Sequence, residues 1–260
     1  MTLPPPGPSR DPSPVEHRIA VRRTARYYTL GTEPGRRAAA AGARRDAGSS
    51  SDPALHSRTG STAADVWIVC HGYAQLARSF IRAFAPVARP GRIIVAPEAL
   101  NRFYHERRVD QPAAHARVAA TWMTREARET EIDDYVAYLD DVAVAVTDGG
   151  RTGRTLALGF SQGAATASRW AALGSARIDD LVLWGSGPAD ELEPAPGLFR
   201  GARVWVVAGD ADEHMDTAAI AAAIGRLRSG GIDARAVHYH GGHRIDAAAL
   251  AALANLVAAG

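Results

Sequence analysis

The stretch that decides the fold runs from Thr155 to Leu173, "TLALGFSQGAATASRWAAL". Its opening, Thr155 to Phe160, is an apolar, β-favouring run, and its close, Gln162 to Leu173, is rich in alanine and other helix formers. Between them stands Ser161, with Gly159 two residues before it and Gly163 two after. A strand that breaks sharply into a helix pushes the residue at the break outward on a strained backbone, and the flanking glycines let the two elements approach where side chains would clash. The free N–H groups and positive end of the following helix then face the serine hydroxyl.

Similar runs recur on both sides. "DVWIVCHGY" from Asp65, "RIIVAP" at 92–97, "DLVLWG" at 180–185, "ARVWVVAGD" at 202–210 and "VHYH" at 237–240 are short and end in Gly, Pro or a polar residue. The first four are nearly continuous in apolar residues, which predicts strands covered on both faces. A further short strand is expected from about Ile19 to Leu30. Helices are expected at Gln75 to Ala88, Ile132 to Thr147, Gln162 to Leu173 and Thr217 to Ser229, and again after Arg244, where Leu250, Leu253 and Val257 keep helical spacing. Buried strands alternating with helices predict an α/β protein with a mostly parallel sheet flanked by helices, and place the chemistry beyond the C-terminal ends of the strands.

The 260 residues, 47% of them hydrophobic, suffice for one large core. Thirty basic residues, all arginine, against 28 acidic ones leave a formal charge of +2, which gives no footprint for nucleic acid. The lone Cys70 excludes an internal disulfide. The Pro-rich start has no apolar core of a secretory signal, and no 18-residue apolar run spans a membrane, so a cytoplasmic protein is expected. Residues 1–14 are expected to be a disordered tail on a single domain at 15–260. Within that domain, Gly31 to Thr62 is poor in large apolar residues and is expected to be a mobile insertion.

An outward-facing serine becomes a nucleophile only with a base and an orienting acid, which follow this type of turn in the order Ser, acid, His. The base expected is His243 in "YHGGHRID". The acid is Asp210 or Asp212 in "GDADEH"; Asp212, farther into the loop, has the reach toward an imidazole. The backbone N–H groups of Gln162 and of Tyr73, in the loop after Cys70, are the expected oxyanion donors. His71 precedes the serine and belongs to the wall of that loop, which favours a structural role. Asp210, His214 and His240 form no compact ligand motif, so no metal is expected, and the chain has neither a G-x-G-x-x-G near a first strand nor a G-K-[S/T], so no nucleotide cofactor is expected.

With these residues the chain resembles the α/β-hydrolase superfamily, and within it the phospholipase/carboxylesterase group that includes acyl-protein thioesterases. The resemblance covers about residues 64–260; "GFSQGA" at 159–164 is similar to that group's "GFSQGG", whereas "HGYAQL" at 71–76 departs from its pattern. It implies Ser161 as nucleophile, Asp212 in a G-x-x-D pattern from Gly209, His243 in a terminal Gly-His, and no cofactor. The implied activity is hydrolysis of a small-molecule or acyl-chain carboxylic ester, as a carboxylesterase or lysophospholipase-like enzyme, with acyl thioesterase as alternative; a catalytically silent binding protein is the reading outside enzymology. Phe103, Tyr104, Trp122 and Met123, with Arg102 beside them, are candidate pocket residues, and the aromatics equally suit a lid packed on the core.

Overall fold

A computed structural model describes residues 15–31, 64–105, 116–147 and 153–259. The expected tail at 1–14 and all of the expected insertion except Gly31 lie outside the described residues. Among the described residues, nine strands and five α-helices follow in the order β1 (Tyr27–Leu30), β2 (Asp65–Cys70), α1 (Ala77–Phe80), β3 (Arg92–Pro97), β4 (Asn101–His105), β5 (Arg117–Thr121), α2 (Arg128–Thr147), β6 (Thr155–Phe160), α3 (Gln162–Leu173), β7 (Asp180–Trp184), β8 (Arg203–Gly209), α4 (Thr217–Ser229), β9 (Ala234–Tyr239) and α5 (Ala247–Ala259). Seven strands make one sheet in the order β1-β3-β2-β6-β7-β8-β9, parallel except for β1, which pairs antiparallel with β3. This is the α/β-hydrolase fold, with its mixed, mostly parallel sheet between helices.

The continuous apolar runs have the cause expected of them. Along β2, Val66, Ile68 and Cys70 point into a core shared with α2, α3 and α4, while Trp67 and Val69 point into the opposite one, shared with α5 and Phe80 and Phe84. A strand whose side chains alternate between two covered faces cannot afford polar positions on either. Burial also pushes the Cys70 thiol pKa well up, so it rests as a neutral apolar group.

Three elements differ from the sequence reading. The first strand begins only at Tyr27, because pairing with β3 starts at Tyr27↔Pro97, while Ile19 and Val21 remain exposed. The helix expected over Gln75–Ala88 is one α-turn, α1, continued by a 3-10 segment at Ile81–Val87 that contains Pro86, a residue without an N–H to donate. The antiparallel hairpin β4–β5, with Phe103 opposite Ala119, has no counterpart in the sequence pattern. Among the described residues no helix is long and apolar enough to cross a membrane.

Candidate active site

The chain runs from β2 outward to β3 and later returns to β6 on the other side of β2. The loops leaving β2 and β6 therefore diverge at the C-terminal edge, and such a switch point opens a crevice there. Ser161 stands at that point, between β6 and α3, with φ 54° and ψ −120°. A non-glycine residue at this φ is strained by about 1–3 kcal/mol, a cost tolerated only where the surroundings over-determine it. Here its N–H is held by Trp184 O at 2.8 Å and its carbonyl by Ala164 N at 2.9 Å. A methyl group on Gly159 would lie 1.9 Å from Gly163 O, and one on Gly163 would lie 2.2 Å from Cys70 O, so both glycines are demanded by backbone contact.

The β8 and β9 loops bring the other two residues together. Asp212 is buried, and its Oδ1 accepts the backbone N–H groups of His214 (2.9 Å) and Met215 (3.2 Å). His243 Nδ1 lies 3.0 Å from Oδ1 and 2.9 Å from Oδ2 of the same carboxylate. Asp210, the competing acid, faces outward, where it pairs with the exposed His240 at 2.6 Å and accepts the Gly241 N–H. The His243 ring packs on Phe160, the neighbour of Ser161, at 4.7 Å between centroids. Gly185, with φ +67°, leaves the space the imidazole occupies, since a methyl there would stand 2.7 Å from His243 Cε1. Hydrogen bonds among the described residues couple His243 to Asp212, and Ser161 Oγ takes part in none; catalytic hydrogen bonds in free enzymes are often long until substrate binds.

The loop after β2 borders Ser161, as a methyl on Gly72 would lie 3.3 Å from Ser161 Cβ. Neither the Tyr73 nor the Gln162 N–H is consumed by a hydrogen bond among the described residues, which leaves both free for a ligand. The Gln162 side chain is spent elsewhere: it bonds Thr121 Oγ1, the Trp122 N–H and Met123 O, tying the elbow to the end of β5. His71 is buried; its Nε2 accepts from Ala99 N at 3.1 Å, so Nδ1 carries the proton and donates to Gly72 O at 2.8 Å. Desolvation holds its pKa below the usual value, and both nitrogens are occupied, so it braces the loop.

The β4–β5 hairpin leans on this same loop, through Ala74 N to Ala120 O, Ala120 N to Gln75 O and the stacking of Phe103 on Tyr73 at 5.5 Å. Of the four expected pocket residues, Phe103 and Tyr104 lie on this hairpin, Tyr104 with its side chain exposed. Trp122 is 1% exposed and donates Nε1–H to His71 O, which makes it a core support of the loop. Met123 is half-buried against Arg169.

A cavity of about 540 Å³ opens beside His243, lined by Leu76, Phe80, Ala83, Val118, Phe160 and Ile245 among others, and by none of those four. Leu76, Phe80 and Ala83 do show helical spacing in the sequence, but that pattern reads equally as a core face. The His214 ring meets the His243 ring edge-on at 4.5 Å, a contact that nothing in the sequence around either histidine signals. Among the described residues no group of three or more His, Cys, Asp or Glu is arranged to hold a metal ion.

The sheet that carries the strained serine and the Asp–His pair at its C-terminal edge is that of an α/β-hydrolase fold, and solved structures share that fold. Esterase PE8 aligns at a TM-score of 0.55 and 22% identity, over 76% of this chain and 93% of that one. Zea mays acyl-protein thioesterase 2 aligns at 0.57 and 15%, over 78% and 96%. A phospholipase/carboxylesterase from Dyadobacter fermentans aligns at 0.52 and 17%, over 75% and 90%. Structural neighbours of this chain are thus esterase and phospholipase/carboxylesterase members of the α/β-hydrolase superfamily. At these identities the likeness establishes the fold. No protein-family model matches the sequence, and no curated protein matches it.

Proposed function

We propose that the chain is a serine hydrolase of carboxylic esters that works through an acyl-enzyme. The observation that carries this is the buried Asp212 carboxylate held on His243 Nδ1, on the crevice where Ser161 projects from its strained turn. Asp212 fixes the tautomer that leaves Nε2 free as a base. His243 removes the Ser161 Oγ proton as Oγ attacks the ester carbonyl, and the Tyr73 and Gln162 N–H groups bind the oxyanion, helped by the N-terminus of α3. The tetrahedral intermediate collapses as His243 gives that proton to the leaving alcohol. Water, deprotonated by His243, then attacks the acyl-serine, and as this second tetrahedral intermediate collapses His243 returns the proton to Ser161 Oγ and the acid is released. Each step balances with no cofactor.

The test pairs covalent labelling with turnover. A serine-directed fluorophosphonate is expected to add one covalent mass to the wild-type chain at Ser161. Ser161→Ala should lose labelling and at least about 10³-fold in kcat on a short-chain 4-nitrophenyl ester. Labelling elsewhere with turnover retained would overturn the assignment, and absence of both would favour a silent binding protein. The same chemistry serves a thioester, so an oxygen ester and a thioester of one acyl chain, compared by kcat/KM, decide the leaving group.

A further inference from the structure

The cavity beside His243 has a charge pattern that its apolar floor does not require. Twelve of the described residues line it; two of these are arginines, Arg117 and Arg244, and none of them is a carboxylate. Arg244 is partly neutralised, with Nη2 3.1 Å from Asp246, and it folds back over Gly241. Arg117 has no such partner: it is exposed at the start of β5, beside Val118 on the cavity wall, and makes no ion pair or hydrogen bond among the described residues. An unpaired guanidinium at the rim of a low-dielectric hollow sets up a positive potential there, since apolar walls focus the field that water would otherwise screen.

Resting on the hydrolase reading of this site, we infer that the cavity selects esters whose distal end carries a carboxylate or other anionic group, with Arg117 as the residue that reads it. The shape agrees with the charge. Leu76, Phe80, Ala83, Phe160 and Ile245 offer apolar walls to a methylene chain, and His243 lines the same cavity, so a scissile bond placed beside it has those walls within reach. The geometry therefore calls for an apolar spacer between ester and anion. Arginine is suited to that terminus because its planar donor fork matches a carboxylate or phosphate. Cationic esters meet the like charge of Arg117, and no carboxylate is among the described residues that line the cavity.

The experiment measures kcat/KM on paired esters of equal length. One pair puts the charge on the acyl side: 4-nitrophenyl hydrogen adipate against 4-nitrophenyl hexanoate. The other puts it on the alcohol side: the hexanoyl ester of 4-hydroxybutyrate against butyl hexanoate. The pair that shows the preference identifies which half of the substrate enters the cavity. In that pair the charged-to-neutral ratio is expected to fall about fivefold in Arg117→Ala, the scale of one solvent-exposed ion pair, and to fall below the Ala value in Arg117→Glu. In the wild type the same ratio should shrink as salt rises from 0.01 to 0.5 M, because the Debye length contracts from about 30 Å to a few ångströms. Turnover of the neutral esters with a ratio near one in both pairs, or a ratio unmoved by Arg117→Glu, would overturn this inference and leave the hydrolase reading standing. Turnover of no ester by the wild type would overturn both.

Discussion

Asp212→Asn tests the site most sharply, because the geometry says what the amide must do. Asp212 Oδ1 accepts two backbone N–H groups, from His214 and Met215, and Oδ2 faces His243 Nδ1 at 2.9 Å. An asparagine keeps the two backbone bonds only with its carbonyl oxygen at the Oδ1 position. Its NH₂ group then points at His243 Nδ1, which must accept, so the ring proton moves to Nε2. An imidazole protonated at Nε2 cannot take the Ser161 proton. Loss of the correct tautomer with the geometry intact costs about 10⁴-fold in kcat, or about 5.5 kcal/mol of transition-state stabilisation. Because the loop bonds survive, the denaturant midpoint should move by no more than about 1 kcal/mol in stability. Asp210→Asn loses only a surface pair with His240, and its kcat should stay within about threefold. The assay is saturating turnover of a short-chain ester by both variants, with urea unfolding run in parallel. A larger kcat loss in Asp210→Asn, or an Asp212→Asn enzyme within tenfold of wild type, would refute the reasoning.

Other outcomes follow from single contacts. Gly159→Ala sets a methyl 1.9 Å from Gly163 O, and because the obstacle is backbone it should destabilise the fold by about 3 kcal/mol or more, read as a drop in thermal midpoint or in soluble yield. Gln162→Leu removes the bonds to Thr121, Trp122 and Met123 and leaves buried partners unpaired; a loss of about 1–3 kcal/mol is expected, with a wild-type urea midpoint as the contrary result. His71 is buried in neutral form with a lowered pKa, so the unfolded chain binds its proton first. The stability it contributes is complete above about pH 6.5 and is lost below that, at up to about 1.4 kcal/mol per pH unit, until the depressed folded pKa is reached. Urea midpoints of wild type and His71→Gln between pH 8 and pH 5.5 should diverge accordingly, and parallel curves would exclude the effect.

How much of this was legible beforehand depended on the range of the interaction responsible. The buried strands at 65–70, 92–97, 155–160, 180–184 and 203–209 announce themselves because each must be apolar on both faces, a demand written into consecutive residues. The turn at Ser161 is local only in part: Gly159 is demanded by Gly163 O four residues on, whereas Gly163 is demanded by Cys70 O at the end of β2, far away in sequence. Spacing also set Asp212 ahead of Asp210, but the carboxylate's burial and its contact with a histidine 31 residues away belong to the meeting of the β8 and β9 loops. The limits of β1 depended on where β3 offered a partner, at Tyr27↔Pro97. The hairpin β4–β5, with alanines opposite Arg102 and Phe103, carries almost no pattern of its own and forms against the loop after β2. Trp122 and Phe80 show the same division most plainly. As sequence both are large aromatics between the strand at 65–70 and the turn at Ser161, yet one is buried behind His71 while the other lines the cavity beside His243. Only the packing of distant segments decides which aromatic faces a void, because a void is bounded by residues that share no sequence interval.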